Sequence, residues 1–314
     1  MIRFIKHQDI DPARWDETIR QSRFPSVFCS YEMLDILTGD DTWHALILDD
    51  YAYIMPLPER SKFGIHYVYS PFFVSQLGIF SAKETSAQIV SDFFNAIPKT
   101  VKHIDLLLNT TNDHAFIGQF TTALVSHQLD LSHDYQDLST GFSQNTKRNI
   151  KAAQKHNLIL HHDECNVEDI IHLFSTNRGK KKEVHFKPKD YEILTAAACQ
   201  LKKLNRLQIY SVCTDDGRTI ANAMFVRDYD RYWFWFSGRD TQYADSKPMF
   251  FLLDKFIEEH AGEHSILDFN GSMNENVARL YKGFGGQPYE IRMINYSKQI
   301  HWQLLLKLYR LIKG

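Results

Sequence analysis

The sequence predicts an α/β (α+β) protein of two tandem domains, each a mixed, mostly antiparallel sheet flanked by helices. Three observations carry this. A β-α-β unit runs from Tyr232 to Gly271. The order meander, helix, buried strand between Trp43 and Asn109 recurs loosely from Leu207 to Asn270, which reads as a divergent duplication rather than a short repeat. The chain, at 314 residues, is also long for one core, and its charge divides. Residues 1–140 carry 10 Lys+Arg against 18 Asp+Glu, a formal −8, whereas 141–314 carry 26 against 20, a formal +6.

The β-α-β unit opens with Tyr232-Trp233-Phe234-Trp235-Phe236, apolar on both alternation faces, as expected of a strand covered on both sides. A polar loop from Arg239 to Lys247 follows. Pro248 suits the first position of a helix, where an N–H would be unpaired anyway. Phe250, Leu253, Phe256 and Ile257 recur at helical spacing up to Ala261-Gly262, and Ser265 to Asn270 returns as a second buried strand, closing in Gly271-Ser272. In open α/β sheets ligands bind at the carboxyl end of such a first strand.

Taken in order, Ile2–Lys6 reads as a strand, and helices start at Asp11-Pro12 and Ser30. Trp43–Leu48 and Tyr51–Leu57 flank Asp49-Asp50 as a tight two-residue hairpin. Ile65–Tyr69 and Gln76–Phe80 are strand material, Ser81–Ala96 an amphipathic helix, and His103–Asn109 a buried strand. Thr121–Leu131 is a further strand, followed by a basic helix over 143–155. Leu158–His161 is a strand, Val167–Phe174 and Tyr191–Leu204 are helices, and Asn177–Glu183 between them is a hydrophilic loop. Leu207–Cys213 and Thr219–Val226 form a hairpin around Asp215-Asp216-Gly217. Met273–Lys282 is a helix, Tyr289–Asn295 a strand and Ser297–Lys313 a terminal helix. The domains are placed at 1–132 and 133–314, the second including the linker helix and the terminal helix.

The N-terminus does not read as a signal peptide, and no apolar run approaches the ~20 residues of a membrane span, so an integral membrane protein is not expected. Cys29, Cys165, Cys199 and Cys213 are scattered without a C-x-x-C pair, as suits reduced thiols and a cytoplasmic protein. His161, His162, Asp163 and His185 have no zinc-ligand spacing with the cysteines, so no metal is assigned. The basic half attracts anions, but its charge is far from a DNA-binding composition, and no DNA partner is expected.

Three stretches carry a resemblance. Phe142-Ser143-Gln144-Asn145-Thr146-Lys147-Arg148-Asn149-Ile150-Lys151-Ala152-Ala153 is similar to the basic inter-domain helix of the FemAB-like peptidyltransferases. Leu267-Asp268-Phe269-Asn270-Gly271-Ser272 and Leu280-Tyr281-Lys282-Gly283-Phe284-Gly285-Gly286 are similar to two further stretches of that superfamily. Meander, helix, buried strand, helix is also the layout of the GNAT acyltransferase fold. The resemblance implies two tandem GNAT-like domains around a cleft, and an N-acyltransferase moving an acyl or aminoacyl group from an activated donor to an amine. The acceptor it implies is a small molecule or peptide, with or without a phosphate.

Two departures bear on the donor. GNAT enzymes that use acetyl-CoA or another acyl-CoA cradle its pyrophosphate on a glycine-rich loop. Here that loop, Arg239 to Lys247, has no glycine after Gly238 and contains two acidic residues, Asp240 and Asp245. The long helical-hairpin arm of aminoacyl-tRNA-using relatives has no room between Phe174 and Cys199. The donor therefore stays open, with aminoacyl-tRNA the weaker candidate. The glycine-poor loop equally suits a catalytically inactive GNAT-like protein that binds an anion or a partner.

The candidate catalytic residues are Asp268, which ends a buried strand beside the ligand loop, as general base, and Tyr281, placed by the resemblance, as general acid. Their structural alternatives are a helix cap and a core aromatic. Lys147, Lys151 and Lys155 share one helix face with Arg148 beside them, an anion site or a solvated linker face. Arg239, Ser246, Lys247 and Asn270 are further substrate- or anion-binding candidates around the loop. Arg178-Gly179-Lys180-Lys181-Lys182 either closes over substrate or is solvated. The apolar, basic terminal helix suits its own sheet or a second subunit, as in a homodimer, and less well an anionic membrane surface.

Overall fold

The structure, a computed structural model, describes residues 1–40, 42–62, 64–112, 121–163, 166–180, 186–270 and 275–297. Its compact units are Met1–Leu124 together with the chain from Glu290 onward, and Val125–Tyr289.

In the first unit the strands lie in the order β1 (Arg3–Ile5), β2 (Thr42–Leu48), β3 (Tyr53–Lys62), β4 (Ile65–Tyr69), β5 (Val101–Leu108) and β12 (Gln287–Ser297). Only β4 and β5 pair in parallel; β12 pairs antiparallel with β5 from Arg292 to Ser297. The crossover between the parallel strands carries helix α3 (Ala87–Ala96). Helix α1 (Pro12–Gln21) starts where Asp11 accepts the Ala13 and Arg14 N–H groups, and it buries Trp15 and Ile19, one turn apart. The Trp15 indole N–H donates to the Cys29 carbonyl at 2.9 Å, satisfying the polar atom of a fully buried ring. Helix α2 (Tyr31–Thr38) ends at Gly39, whose φ of 64° suits glycine.

Three local expectations are corrected here. The hairpin at Asp49-Asp50 has four loop residues, since Leu48 pairs with Tyr53; Asp49, Asp50 and Tyr51 all adopt positive φ. Gln76–Phe80 makes only isolated bridges, Leu77 to Leu108 and Phe80 to Ile54, because Gly78 turns at φ 111° and Asn112 takes the Ile79 N–H. The helix expected from Ser81 starts at Ala87 under a Ser86 cap; Ser81 instead donates to the Ala52 carbonyl.

In the second unit the order is β6 (Thr121–Asp130), β11 (Ile266–Asp268), β10 (Arg231–Arg239), β9 (Thr219–Asp228), β8 (Leu207–Cys213) and β7 (Ile159–His162). Again one pair, β10 with β11, is parallel and the rest are antiparallel. The helices are α4 (Tyr135–Thr140), α5 (Gln144–Ala153), α6 (Val167–Thr176), α7 (Pro188–Lys203), α8 (Pro248–His260) and α9 (Glu275–Gly283). Leu252, Leu253, Phe256 and Ile257 of α8 are fully buried, each worth about 1.5–3 kcal/mol of transfer free energy. Phe256 stacks on Phe225 of β9 with centroids 3.7 Å apart, fixing α8 over the sheet.

Pro188 opens α7 one turn before the helix expected from Tyr191. No described helix is long and apolar enough to cross a membrane. The expected terminal helix beyond Ser297, the loop residues Lys181–Glu183, and Gly271-Ser272 lie outside the described residues.

Candidate active site

Strand β10 builds the site. Its parallel pairing with β11 covers only Arg231–Trp233 against Ile266–Asp268, while β10 itself continues to Arg239. A bulge between Phe234 and Phe236 shifts its register on β9. Past the end of the β11 pairing a cavity of about 340 Å³ opens, within the second unit. Its apolar wall comes from Phe234 of β10, Met249 and Phe250 of α8, and Val277 and Leu280 of α9. Asn145 and Thr146, in the first turn of α5, border it, as do Asn177, Ser237 and Thr241. Its charged lining is Arg178, Arg239 and Arg279, with no Asp, Glu or His among the described lining residues.

Gly238 is a glycine because of close packing. A Cβ there would lie 2.9 Å from the Phe174 nitrogen and 3.0 Å from the Ile170 carbonyl oxygen, so α6 comes right onto β10. That contact brings Asn177 and Arg178, just after α6, to the cavity. Gly283 does the same for α9: a Cβ would strike Thr146, and the Ser143 N–H donates to the Gly283 carbonyl at 2.8 Å. The end of α9 therefore sits on the start of α5.

Tyr281 lines the cavity although the residue is only 6% exposed. Its ring stacks on Phe269 at 4.6 Å and meets Phe234 edge-on at 6.0 Å. Burial pushes its hydroxyl pKa up; the Arg178 charge opposes this and the Asp268 carboxylate adds to it. The phenol thus keeps its proton throughout the neutral range. Behind it, His127 is buried with Nδ1 unpartnered among the described residues, and burial, with Lys282, pulls its pKa down.

Asp268 lies outside this lining and is fully buried. Oδ1 accepts from the Asn270 N–H at 2.8 Å and from Ser126 at 3.3 Å; Oδ2 accepts from Tyr289 at 2.5 Å and lies 3.9 Å from Arg231. Burial raises its pKa against those donors. Asn270 has φ 55° and follows this knot.

The loop after β10 is a 3-10 stretch, Thr241–Ser246, capped by Asp240. Four of its N–H groups are already engaged: Thr241 donates to Asn177 Oδ1 at 3.0 Å, Gln242 to Asp240 Oδ1 at 2.9 Å, and Tyr243 and Lys247 to the carbonyls of Asp240 and Ala244 at 3.3 Å. Arg218 pairs with Asp240 at 3.1 Å. A pyrophosphate cradle needs those N–H groups free, so the loop does not fit acyl-CoA held in that way.

Of the other candidates, Arg239 reaches the cavity. Ser246 donates to the Tyr243 carbonyl, and Lys247, in the left-handed region at φ 54°, lies 3.8 Å from Asp245. Lys147 donates to the Thr140 carbonyl and Arg148 to Asn145, while Lys151 is exposed; none of the three lines the cavity. The linker helix contributes its first turn rather than its basic face. Arg279 and Asn145 escaped the sequence reading. Arg279 lies one helical turn from Asn276 but only two residues before Tyr281, which points from a different side of α9, so helical spacing from Tyr281 gave no signal for it.

Residues 141–282 match the family model of the acetyltransferase (GNAT) domain. This stretch, somewhat less than half of the chain, is similar to GNAT-type acetyltransferase domains. The fold likeness extends over the whole chain. The crystal structure of FemX superposes with a TM-score of 0.65 at 10% identity, covering 97% of this chain and 99% of that one. L-PGS from Bacillus licheniformis gives 0.58 at 11% identity, covering 97% and 98%. A conserved protein of unknown function from Bacteroides thetaiotaomicron gives 0.56 at 11%, covering 95% and 100%. No curated protein matches the sequence.

Proposed function

We propose that the protein is an N-acyltransferase whose reaction takes place in the cavity at the end of β10. The observation that carries this is Tyr281: a protonated, buried phenol lining the one wall of a GNAT-type domain that β10, α8 and α9 share. An amine attacks the carbonyl of an activated acyl donor, the tetrahedral adduct collapses, and Tyr281 donates its proton to the leaving group. Because no carboxylate or imidazole lines the described cavity, the amine enters neutral or gives its proton to solvent. Small-molecule and peptide amines are the acceptors to test first. Scattered free thiols at Cys29, Cys199 and Cys213 are consistent with work in the cytoplasm.

The test is transfer to a panel of amines from acyl-CoA and aminoacyl-tRNA donors, with Tyr281→Phe as control. Transfer that depends on Tyr281 supports the proposal; no transfer from any donor overturns it. A second reading, a GNAT-like protein that only binds, is favoured by the self-satisfied 241–247 loop, and saturable ligand binding without turnover would select it.

A further inference from the structure

The second unit carries a trough between α6 and α7 that shares no lining residue with the cavity at the end of β10. Each helix turns one apolar stripe inward. Val167, Ile170 and Phe174 of α6 are buried, as are Leu194, Ala198 and Leu201 of α7. What remains of each helix forms the walls of the trough. Glu168, Ile171, His172 and Ser175 recur at i, i+3, i+4 and i+7 along α6, and Glu192 and Ala196 stand one turn apart on α7. The space between them is about 590 Å³. Tyr191 adds an aromatic wall, and its ring is held by edge-on contacts with Phe174 and Phe186.

The charge of this trough has one sign. Its described lining contains two carboxylates and neither lysine nor arginine. Neither the Glu168 nor the Glu192 carboxylate has a hydrogen bond or ion pair among the described residues. The chain also contains a segment of the opposite charge. Residues 298–314, outside the described residues, include Lys298, Lys307, Arg310 and Lys313 and no Asp or Glu. Leu304, Leu308 and Leu311 stand there at i, i+4 and i+7, so the sequence pattern predicts an amphipathic helix with basic residues beside its apolar stripe. As a helix, the segment would span about 25 Å, more than the roughly 10 Å of α6 from Glu168 to Ser175.

We propose that the α6–α7 trough receives the 298–314 segment of a second copy of this chain, in a reciprocal dimer in which each copy gives one arm and accepts one. An amphipathic helix laid in a groove reads it through anchors at i, i+3, i+4 and i+7, and the trough offers apolar surface at Ile171, Tyr191 and Ala196 for such a stripe. Glu168 and Glu192 meet the arm's basic residues and set its register. Reciprocal exchange fills two troughs for a single loss of translational freedom, and it makes the contact self-complementary, as a two-fold dimer requires. This inference goes beyond the acyltransferase reading and does not depend on it.

The experiment is sedimentation of the full chain at micromolar concentration in low and high salt. A dimer that weakens with salt is expected. The double variant Glu168→Lys, Glu192→Lys and the double variant Lys307→Glu, Arg310→Glu should each dimerise about tenfold or more weakly than the parent, because like charges then face each other. Mixing the two variants should restore the dimer, since every arm then meets a trough of opposite charge. Glu168 and Glu192 are exposed, so thermal unfolding of the trough variant should match the parent. If reversal prevents folding, Glu168→Gln with Glu192→Gln serves instead: weaker self-association supports the proposal, and unchanged self-association overturns it. A monomeric full chain overturns it, including one whose arm carries it onto anionic vesicles. A dimer indifferent to the trough reversal, or variants that do not rescue each other on mixing, overturns it as well.

Discussion

The Tyr289 hydroxyl donates to Oδ2 of Asp268 at 2.5 Å, joining the start of β12 to the end of β11. With the Asn270 N–H, Ser126 and Arg231 around it, this carboxylate organises the chain end beside Tyr281 rather than opening to the cavity. Asp268→Ala would leave several buried donors unpaired, and a loss of about 3 kcal/mol or more of unfolding free energy is expected by urea denaturation. Tyr289→Phe removes one donor and should cost about 1–3 kcal/mol.

Tyr281→Phe removes the proposed proton donor but keeps the ring on Phe269 and Phe234. The rate of transfer should fall about a hundredfold or more, with little change in the unfolding midpoint. Since burial raises the pKa of Tyr281, the parent rate should show no loss attributable to this phenol between neutral pH and mildly alkaline pH.

His127 supplies a pH dependence of stability. Burial depresses its folded pKa below the unfolded value of about 6.5. Its neutral form is therefore accommodated fully above the unfolded pKa, and stability is lost as pH falls through that value, where the unfolded chain takes up the proton first. Urea midpoints measured at pH 7.5 and 5.5 should fall less in His127→Phe than in the parent protein.

Gly238→Ala puts a methyl group against the Phe174 nitrogen and the Ile170 carbonyl. Displacing α6 from β10 is expected to cost about 1–3 kcal/mol, and it moves Asn177 and Arg178 away from the cavity. Thermal unfolding reads the first effect, and a lower rate of Tyr281-dependent transfer the second.

Tyr135→Phe removes the hydrogen bond from Tyr135 to Asp254 Oδ1, 2.6 Å long, which ties α4 to α8. Asp254 is buried and desolvation already raises its pKa. Loss of its partner should cost about 1–3 kcal/mol at neutral pH, and less in acid, where the carboxyl is protonated.

The β-α-β unit was legible because its signals are local. A doubly apolar strand, a proline at the first helical position and an i, i+3, i+4 stripe each depend only on nearby residues, and β10, α8 and β11 follow them. The Gln76–Phe80 stretch misled for the opposite reason. Its apolar residues suit a strand, but Asn112, far along the chain, competes for its backbone.

By itself, then, the sequence determined the order of most elements, which follows from short-range periodicity and turn chemistry, and its resemblance to known stretches pointed to the GNAT-like layout. Tertiary structure alone decided which strand closes each unit: β12 pairs with β5 and β6 with β11, pairings between segments distant in sequence. It also decided which side chains meet. Asp268 turned inward to Tyr289, the basic face of α5 stayed off the cavity, and three arginines from unrelated segments converged on it. Such meetings depend on distance in space, and composition and spacing along a chain do not encode that distance.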